Sequence, residues 1–290
     1  MNRMIDIFST LGDRLSHFGK DSTSQEVMRR AMEENHWFSQ SDILMAIEAI
    51  REEFLDRDKL QRWAAAYTMT EPRRVAIIMA GNIPLVGFYD LLCVVMASHT
   101  AMVKPSSKDK PLTEYIIELL KDIEPAIAIE PFTDSSQPDM VIATGGDQAA
   151  RHFQSQYANI IRGSRHSVAV LSGEESETEL KGLSRDIFSY NGLGCRNISL
   201  IFLPAGKQLT LNPPKPNPMM QGNYAHNKAL KTMLGIPFTD LSGYLAVENN
   251  SFSNDISQIN YCYYNSVQEI EEWLKKHDEE LQCIVSDIIS

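Results

Sequence analysis

The chain carries a recurring pattern: short uninterrupted apolar runs, each stopped by glycine or proline and followed by a helix-like segment. Val75 to Ala80 is the first such run; Gly81-Asn82-Ile83-Pro84 breaks it, and an apolar helix candidate extends from Leu85 to His99. Ala101 to Lys104 stops at Pro105, and a helix is predicted over 113–123. Met140 to Ala143 closes at Thr144-Gly145-Gly146, with a helix start at 148–153. Ser167 to Leu171 leads into a helix predicted over about 175–189. A continuous apolar run suits a strand buried on both faces. Strands alternating with helices imply βαβ units around a mostly parallel sheet.

Upstream, residues 1–67 read as helical. Ser39 with Asp42 three positions on resembles a capping box, and Ile43, Leu44, Ile47, Ile50 and Phe54 recur at helical spacing. No chemistry is read there. Beyond residue 205 comes a proline-rich loop, Asn212 to Pro218, then a helix over 223–234 and β-rich runs near Leu245 and Tyr261. A charged helix (267–280) and a last strand (283–288) follow. The expected organisation is a helical segment over 1–67, a first α/β domain over 68–190 and a second over 191–290. A length of 290 residues suits two domains.

Composition narrows the function. A net charge of −11 makes the chain a poor general nucleic-acid binder, because phosphate binding relies on concentrated Lys and Arg. No apolar run approaches the roughly 18 residues of a membrane span, and the start does not read as a signal peptide. The four cysteines, at 93, 195, 262 and 283, show no metal-type or disulfide-scaffold spacing, and a reducing cytoplasm is expected.

Cys195 lies in Asn191-Gly192-Leu193-Gly194-Cys195-Arg196-Asn197, just before the apolar run Ile198 to Phe202. A thiol in a glycine turn is open to an incoming carbonyl, and the thiolate is a good nucleophile. Cys93, Cys262 and Cys283 sit in apolar or aromatic runs and read as packing residues. Phosphate-loop fingerprints of the GxGxxG and Walker types are absent. Thr144-Gly145-Gly146 is either a plain βα turn or a place where phosphate meets backbone N–H groups. Lys104-Pro105-Ser106-Ser107, at a strand's C-terminal end, is either a solvated proline turn or a holder of ribose or phosphate. Asn82 is either turn chemistry or an oxyanion donor. His99, His152, His166 and His226 read as structural, with His226 the first to test as a base. No metal site is expected.

Together these pieces resemble the aldehyde dehydrogenase superfamily, and more closely its acyl-CoA reductase branch, the LuxC-type fatty-acyl reductases. The resemblance is carried by Ala80 to Asp90, by Val103-Lys104-Pro105-Ser106-Ser107-Lys108-Asp109, by Asn191 to Asn197, and by Asn35-His36-Trp37-Phe38. It covers about residues 30 to 230. It implies a Rossmann-type nucleotide domain, a second α/β catalytic domain and a helical N-terminal segment. It further implies an oxidoreductase in which Cys195 takes the acyl group from an acyl-CoA or acyl-carrier thioester as a covalent thioester. Asn82 and the Cys195 N–H would hold the oxyanion. Lys104, with Ser106 and Ser107, would hold the adenosine ribose, and Thr144, Gly145 and Gly146 the pyrophosphate. Hydride transfer would then release aldehyde.

Two departures refine this. Val170 matches the position where hydrolytic aldehyde dehydrogenases carry a water-activating Glu, which favours reduction over hydrolysis. Ser107 replaces an acid that repels a ribose 2′-phosphate, which favours NADP(H) over NAD(H). The superfamily carries a further C-terminal stretch unmatched after Ser290, so either the last strand closes the domain or the chain is a truncated form. With that stretch the resemblance implies a homo-oligomer, and an acyl-donating partner enzyme is a further expectation. The alternatives are an aldehyde dehydrogenase forming free acid, and a non-catalytic acyl-carrying or cofactor-binding subunit.

Overall fold

Residues 2–68, 70–133, 135–145 and 157–289 are described by a computed structural model. The chain divides into two compact units, residues 1–163 and 164–290.

The first unit opens with four helices, α1 (Asn2–Leu15), α2 (Ser22–Glu34), α3 (Gln40–Phe54) and α4 (Arg57–Ala65). Side-chain caps separate them. Asp21 accepts from the Ser24 N–H, Ser39 and Asp42 form the expected capping box, and Asp56 accepts from the Lys59 N–H. Then follow β1 (Arg74–Ile78), α5 (Phe88–Met96), β2 (Thr100–Lys104), α6 (Lys110–Ile123), β3 (Ile129–Pro131), β4 (Met140–Thr144) and β5 (Ala158–Arg162). The five strands are all parallel, in the order β3-β2-β1-β4-β5.

Strand alternation assigns the faces. Val75, Ile77, Ala101 and Val103 pack into one core with α5, α6 and the N-terminal helices, through residues such as Phe8, Leu11, Ile43, Leu91 and Ile116. The N-terminal helices therefore complete the first sheet's hydrophobic layer. Ala76, Met102, Val141 and Ala143 form a smaller cluster on the opposite face, with Phe132, Tyr157 and Ile161 packed against it.

The second unit contains β6 (His166–Val170), α7 (Glu177–Phe188), a short 3₁₀ turn (Ser189–Gly192) and β7 (Ile198–Pro204). It continues through α8 (Pro218–Leu234), β8 (Thr239–Asp240), β9 (Leu245–Glu248), β10 (Gln258–Tyr264), α9 (Val267–Lys276) and β11 (Leu281–Ser286). Its sheet runs β11-β6-β7-β10-β9-β8, parallel except for the β8–β9 pair. Val168, Val170, Leu200, Phe202 and Tyr264 pack with Ile270 and Leu274 of α9.

Three expectations shift. The division falls at 163/164 in place of 190/191, because β6 pairs with β7 and β11. Strand β5, which has no continuous apolar run, alternates exposed and half-buried residues as an edge strand does. Helix α8 starts at Pro218, which takes its first turn, where a missing N–H costs nothing. The helix start expected at 148–153 lies outside the described residues. Among the described residues, no helix is long and apolar enough to cross a membrane.

Candidate functional site

In the first unit the chain leaves β1 for β2 and β3 on one side and takes β4 and β5 on the other. The order therefore reverses between β1 and β4. In open parallel sheets ligands occupy the crevice beyond the strand C-termini at such a point. The loops after β1, β2 and β4 carry Asn82, Lys104-Ser106-Ser107 and Thr144-Gly145, so the fold brings these expected residues to one sheet edge. Gly146 lies outside the described residues.

The first two loops touch closely. A Cβ placed on Gly81 would lie 2.5 Å from Ser106 Oγ and 2.7 Å from Ser106 Cβ, so only glycine fits without displacement. The Met79 N–H donates to the Lys104 carbonyl at 3.1 Å, extending the β1–β2 ladder into these loops. The Asn35 side chain donates to the Gly81 carbonyl at 3.3 Å, which gives the Asn35-His36-Trp37-Phe38 segment a physical role in shaping the loop. Asn82, Lys104 and Ser107 are exposed. Lys104 Nζ lies 6.0 Å from the centroid of the Phe132 ring, a cation–π distance.

The third loop is more committed than expected. The Gly145 N–H donates to the Arg162 carbonyl at 3.2 Å. The Thr144 hydroxyl donates to Asp90 Oδ2 at 3.3 Å, and Arg162 pairs with Asp90 Oδ1. The Gly145 N–H is thus no open donor for a phosphate. Asp90 is 5% exposed and is held by Arg162 from the end of the adjacent strand β5. An acidic residue in the first turn of an otherwise apolar helix gives no sign of this pairing in the sequence.

In the second unit Cys195 is exposed. The turn before it is unusual backbone: Tyr190 (φ 52°), Asn191 (φ 58°) and Gly192 (φ 72°) are consecutive left-handed residues. Each non-glycine residue there costs about 1–3 kcal/mol and persists only where its surroundings hold it. Asn197 supplies that hold. Its Oδ1 accepts from the Gly194 N–H at 2.8 Å, and its Nδ2 donates to the carbonyls of Asp186 (2.8 Å) and Ser189 (3.0 Å). From the neighbouring strand, Ser167 Oγ donates to the Cys195 carbonyl at 2.9 Å. The Cys195 backbone is therefore fixed at both ends while its thiol side stays open.

That contact corrects the expectation for Val170. Ser167 opens β6 beside the Cys195 turn, and Val170 ends the same strand, about 10 Å further along at 3.3 Å per residue. Val170 is 2% exposed and packs with Leu200 and Phe202. A core residue on the far part of the strand does not report on water activation at Cys195.

The remaining candidates take structural places. His99 accepts from the Arg73 N–H, and burial lowers its basicity. His166 stacks on Phe252 and is likewise lowered by burial. His226 is exposed on α8, and His152 lies outside the described residues. Burial raises the Cys93 thiol and pushes Cys262 up to about 11. Cys283 is half-buried beside Arg196. Among the described residues, no group of three or more His, Cys, Asp or Glu is placed to hold a metal ion.

Known proteins share this architecture. An oxidoreductase from Marinobacter aquaeolei superposes with a TM-score of 0.70 at 10% identity, covering 98% of this chain and 77% of that one. Betaine aldehyde dehydrogenase from Staphylococcus aureus, solved with NAD+, gives 0.68 at 10% identity, covering 99% and 75%. At such identities the likeness establishes the fold: aldehyde dehydrogenase-like, with a Rossmann-type parallel sheet. By sequence, a long-chain acyl-protein thioester reductase of Aliivibrio fischeri is 23% identical over 154 residues. That match takes in 44% of this chain and 32% of the relative, so it spans about a third of the relative's length. The family model for acyl-CoA reductase (LuxC) matches residues 14–213, well over half of the sequence, and the chain belongs to that family.

Proposed function

We propose that this chain reduces an acyl thioester, a fatty acyl-CoA or acyl-carrier thioester, to the aldehyde with NADPH, through a covalent acyl-Cys195. The observation that carries the reading is the exposed Cys195 thiol on a backbone fixed by Asn197 and Ser167.

In this reading the Cys195 thiolate attacks the thioester carbonyl. The donor's thiolate leaves as the new carbon–sulfur bond is completed. Asn82 and the Cys195 N–H donate to the oxyanion as it forms, where fixed donors are most effective. Nicotinamide, when bound, supplies the hydride that the acyl carbon accepts. Collapse of the resulting oxyanion then expels the Cys195 thiolate and frees the aldehyde. The first unit suits such a cofactor: the sheet order reverses between β1 and β4, and Lys104 stands exposed at the end of β2. That is the strand end where Rossmann-type sheets read the adenosine ribose. Ser107 brings no negative charge to that position, which favours the 2′-phosphate of NADP(H). Assembly as a homo-oligomer and delivery of the acyl group by a partner enzyme belong to the same reading.

The test is NADPH consumption with a long-chain acyl-CoA, with aldehyde and free acid both quantified. Aldehyde formed in step with NADPH loss, abolished in Cys195→Ala, is the expected result. Introducing an acid with Ser107→Asp should raise the KM for NADPH and leave that for NADH little changed. Free acid without NADPH loss, or equal turnover in Cys195→Ala, would overturn the proposal.

A further inference from the structure

Asp109 follows the Lys104-Ser106-Ser107 loop and stands immediately before α6, where an Asp ordinarily caps its own helix. It makes no such cap. Its side chain instead crosses to the neighbouring loop, where Oδ2 accepts from the Leu85 N–H at 2.8 Å. Leu85 is a left-handed residue, φ 55°, in the turn between Asn82 and α5. Its N–H is therefore fixed by a carboxyl group supplied from the next βα loop. Asp109 is 1% exposed, and its Oδ1 has no hydrogen-bond partner of good geometry. Burying such a group is costly, and this one makes a single cross-loop bond.

Two more contacts hold the second of these loops on itself. The Asp109 N–H donates to the Ser106 carbonyl at 3.1 Å, and the Lys108 N–H donates to Ser106 Oγ at 3.3 Å. Ser106 in turn lies against Gly81 closely enough to exclude a Cβ. The chain of contacts runs Leu85, Asp109, Ser106, Gly81, and it closes on the loop in which it began.

We infer that Asp109 is a positioning residue that locks the Asn82-bearing loop to the Lys104–Ser107 loop, so that the proposed oxyanion donor and the proposed ribose-holding segment act as one rigid piece. The functional half of this inference rests on the reductase reading; the structural half does not. Burial pushes the Asp109 carboxyl up to about 8, while the Leu85 N–H and the Thr113 hydroxyl pull the other way. Asn keeps the shape and the acceptor oxygen of a neutral carboxyl, so Asp109→Asn should preserve the lock and Asp109→Ala should break it.

The experiment is amide hydrogen exchange of the whole chain, read on peptides spanning 80–88 and 104–109. Wild type, Asp109→Asn, Asp109→Ala and the core control Ile116→Ala are compared, with NADPH binding followed by fluorescence. Loss of a buried acceptor should speed exchange in both peptides of Asp109→Ala by about tenfold and weaken NADPH about as much. Asp109→Asn should stay within about threefold of wild type. Ile116→Ala, on the buried side of α6, should lose stability without selectively exposing these peptides. Unchanged exchange in Asp109→Ala, or Asp109→Asn behaving like Asp109→Ala, would overturn the inference. Deprotected loops in Asp109→Ala, with no NADPH binding by the wild type, would uphold the lock and sink the reductase reading instead.

Discussion

The candidate loops of the first unit and the Cys195 turn of the second are held in opposite ways. The loops of the first unit are fixed by burial: Asp109 and Gly81 have no exposed surface to spare, and one side chain bridges two βα connections. The Cys195 turn is fixed at the surface, by backbone bonds to Asn197 and Ser167, with two left-handed non-glycine residues in its approach. Close packing tolerates little change of volume. A hydrogen-bonded turn tolerates volume but not the loss of a partner. Each region should therefore fail under a different kind of substitution.

The largest effect is expected in the turn. Asn197→Ala removes the acceptor for Gly194 and the donor to Asp186 and Ser189 together. At about 1 kcal/mol for each of the three hydrogen bonds this costs about 3 kcal/mol and lowers acylation of Cys195 about 100-fold. Denaturant unfolding and the acylation rate check both, and a fully active Asn197→Ala would remove the supposed support of the thiol.

Next comes overpacking in the first unit. Gly81→Ala adds one methyl group where Ser106 already stands, at a cost of about 1–3 kcal/mol. NADPH affinity should fall, and acylation of Cys195 with it, because Asn82 adjoins Gly81. Unchanged NADPH affinity would break the contrast between the two regions.

The third test is a pH dependence. The Asp109 carboxyl titrates near 8 when folded against an ordinary value of 3.8. Between these values the folded state holds a proton that the unfolded chain releases. The contribution to stability is whole below the lower value, shrinks as pH rises and is gone above the higher one. Melting temperature should fall between about pH 4 and about pH 8, and fall less in Asp109→Asn. Parallel slopes for the two proteins would show that Asp109 is ionised throughout.

The sequence revealed much of this because the relevant signals are local. Buried parallel strands write themselves as apolar runs, and the breakers after Ala80, Lys104 and Thr144 mark the strand ends where the candidate cofactor residues stand. The open turn at Cys195 is legible from its glycines. The rest depends on partners distant in sequence. Strand β5 is an edge, so it alternates where a buried strand would not. The unit boundary hides because strand–helix alternation continues across Gly163. Val170 was placed by matching short motifs, and only the contact between Ser167 and Cys195 shows which end of β6 faces the thiol. Asp109 looks like a solvated residue until the β1–α5 loop is folded over it.

The most direct test of the central claim is the intact mass of the protein after exposure to a long-chain acyl-CoA, with peptide mapping, before and after NADPH is added. One acyl group on Cys195, absent from Cys195→Ala and discharged as aldehyde by NADPH, is the predicted result. An unmodified Cys195, or an acyl group that NADPH does not remove, would contradict it.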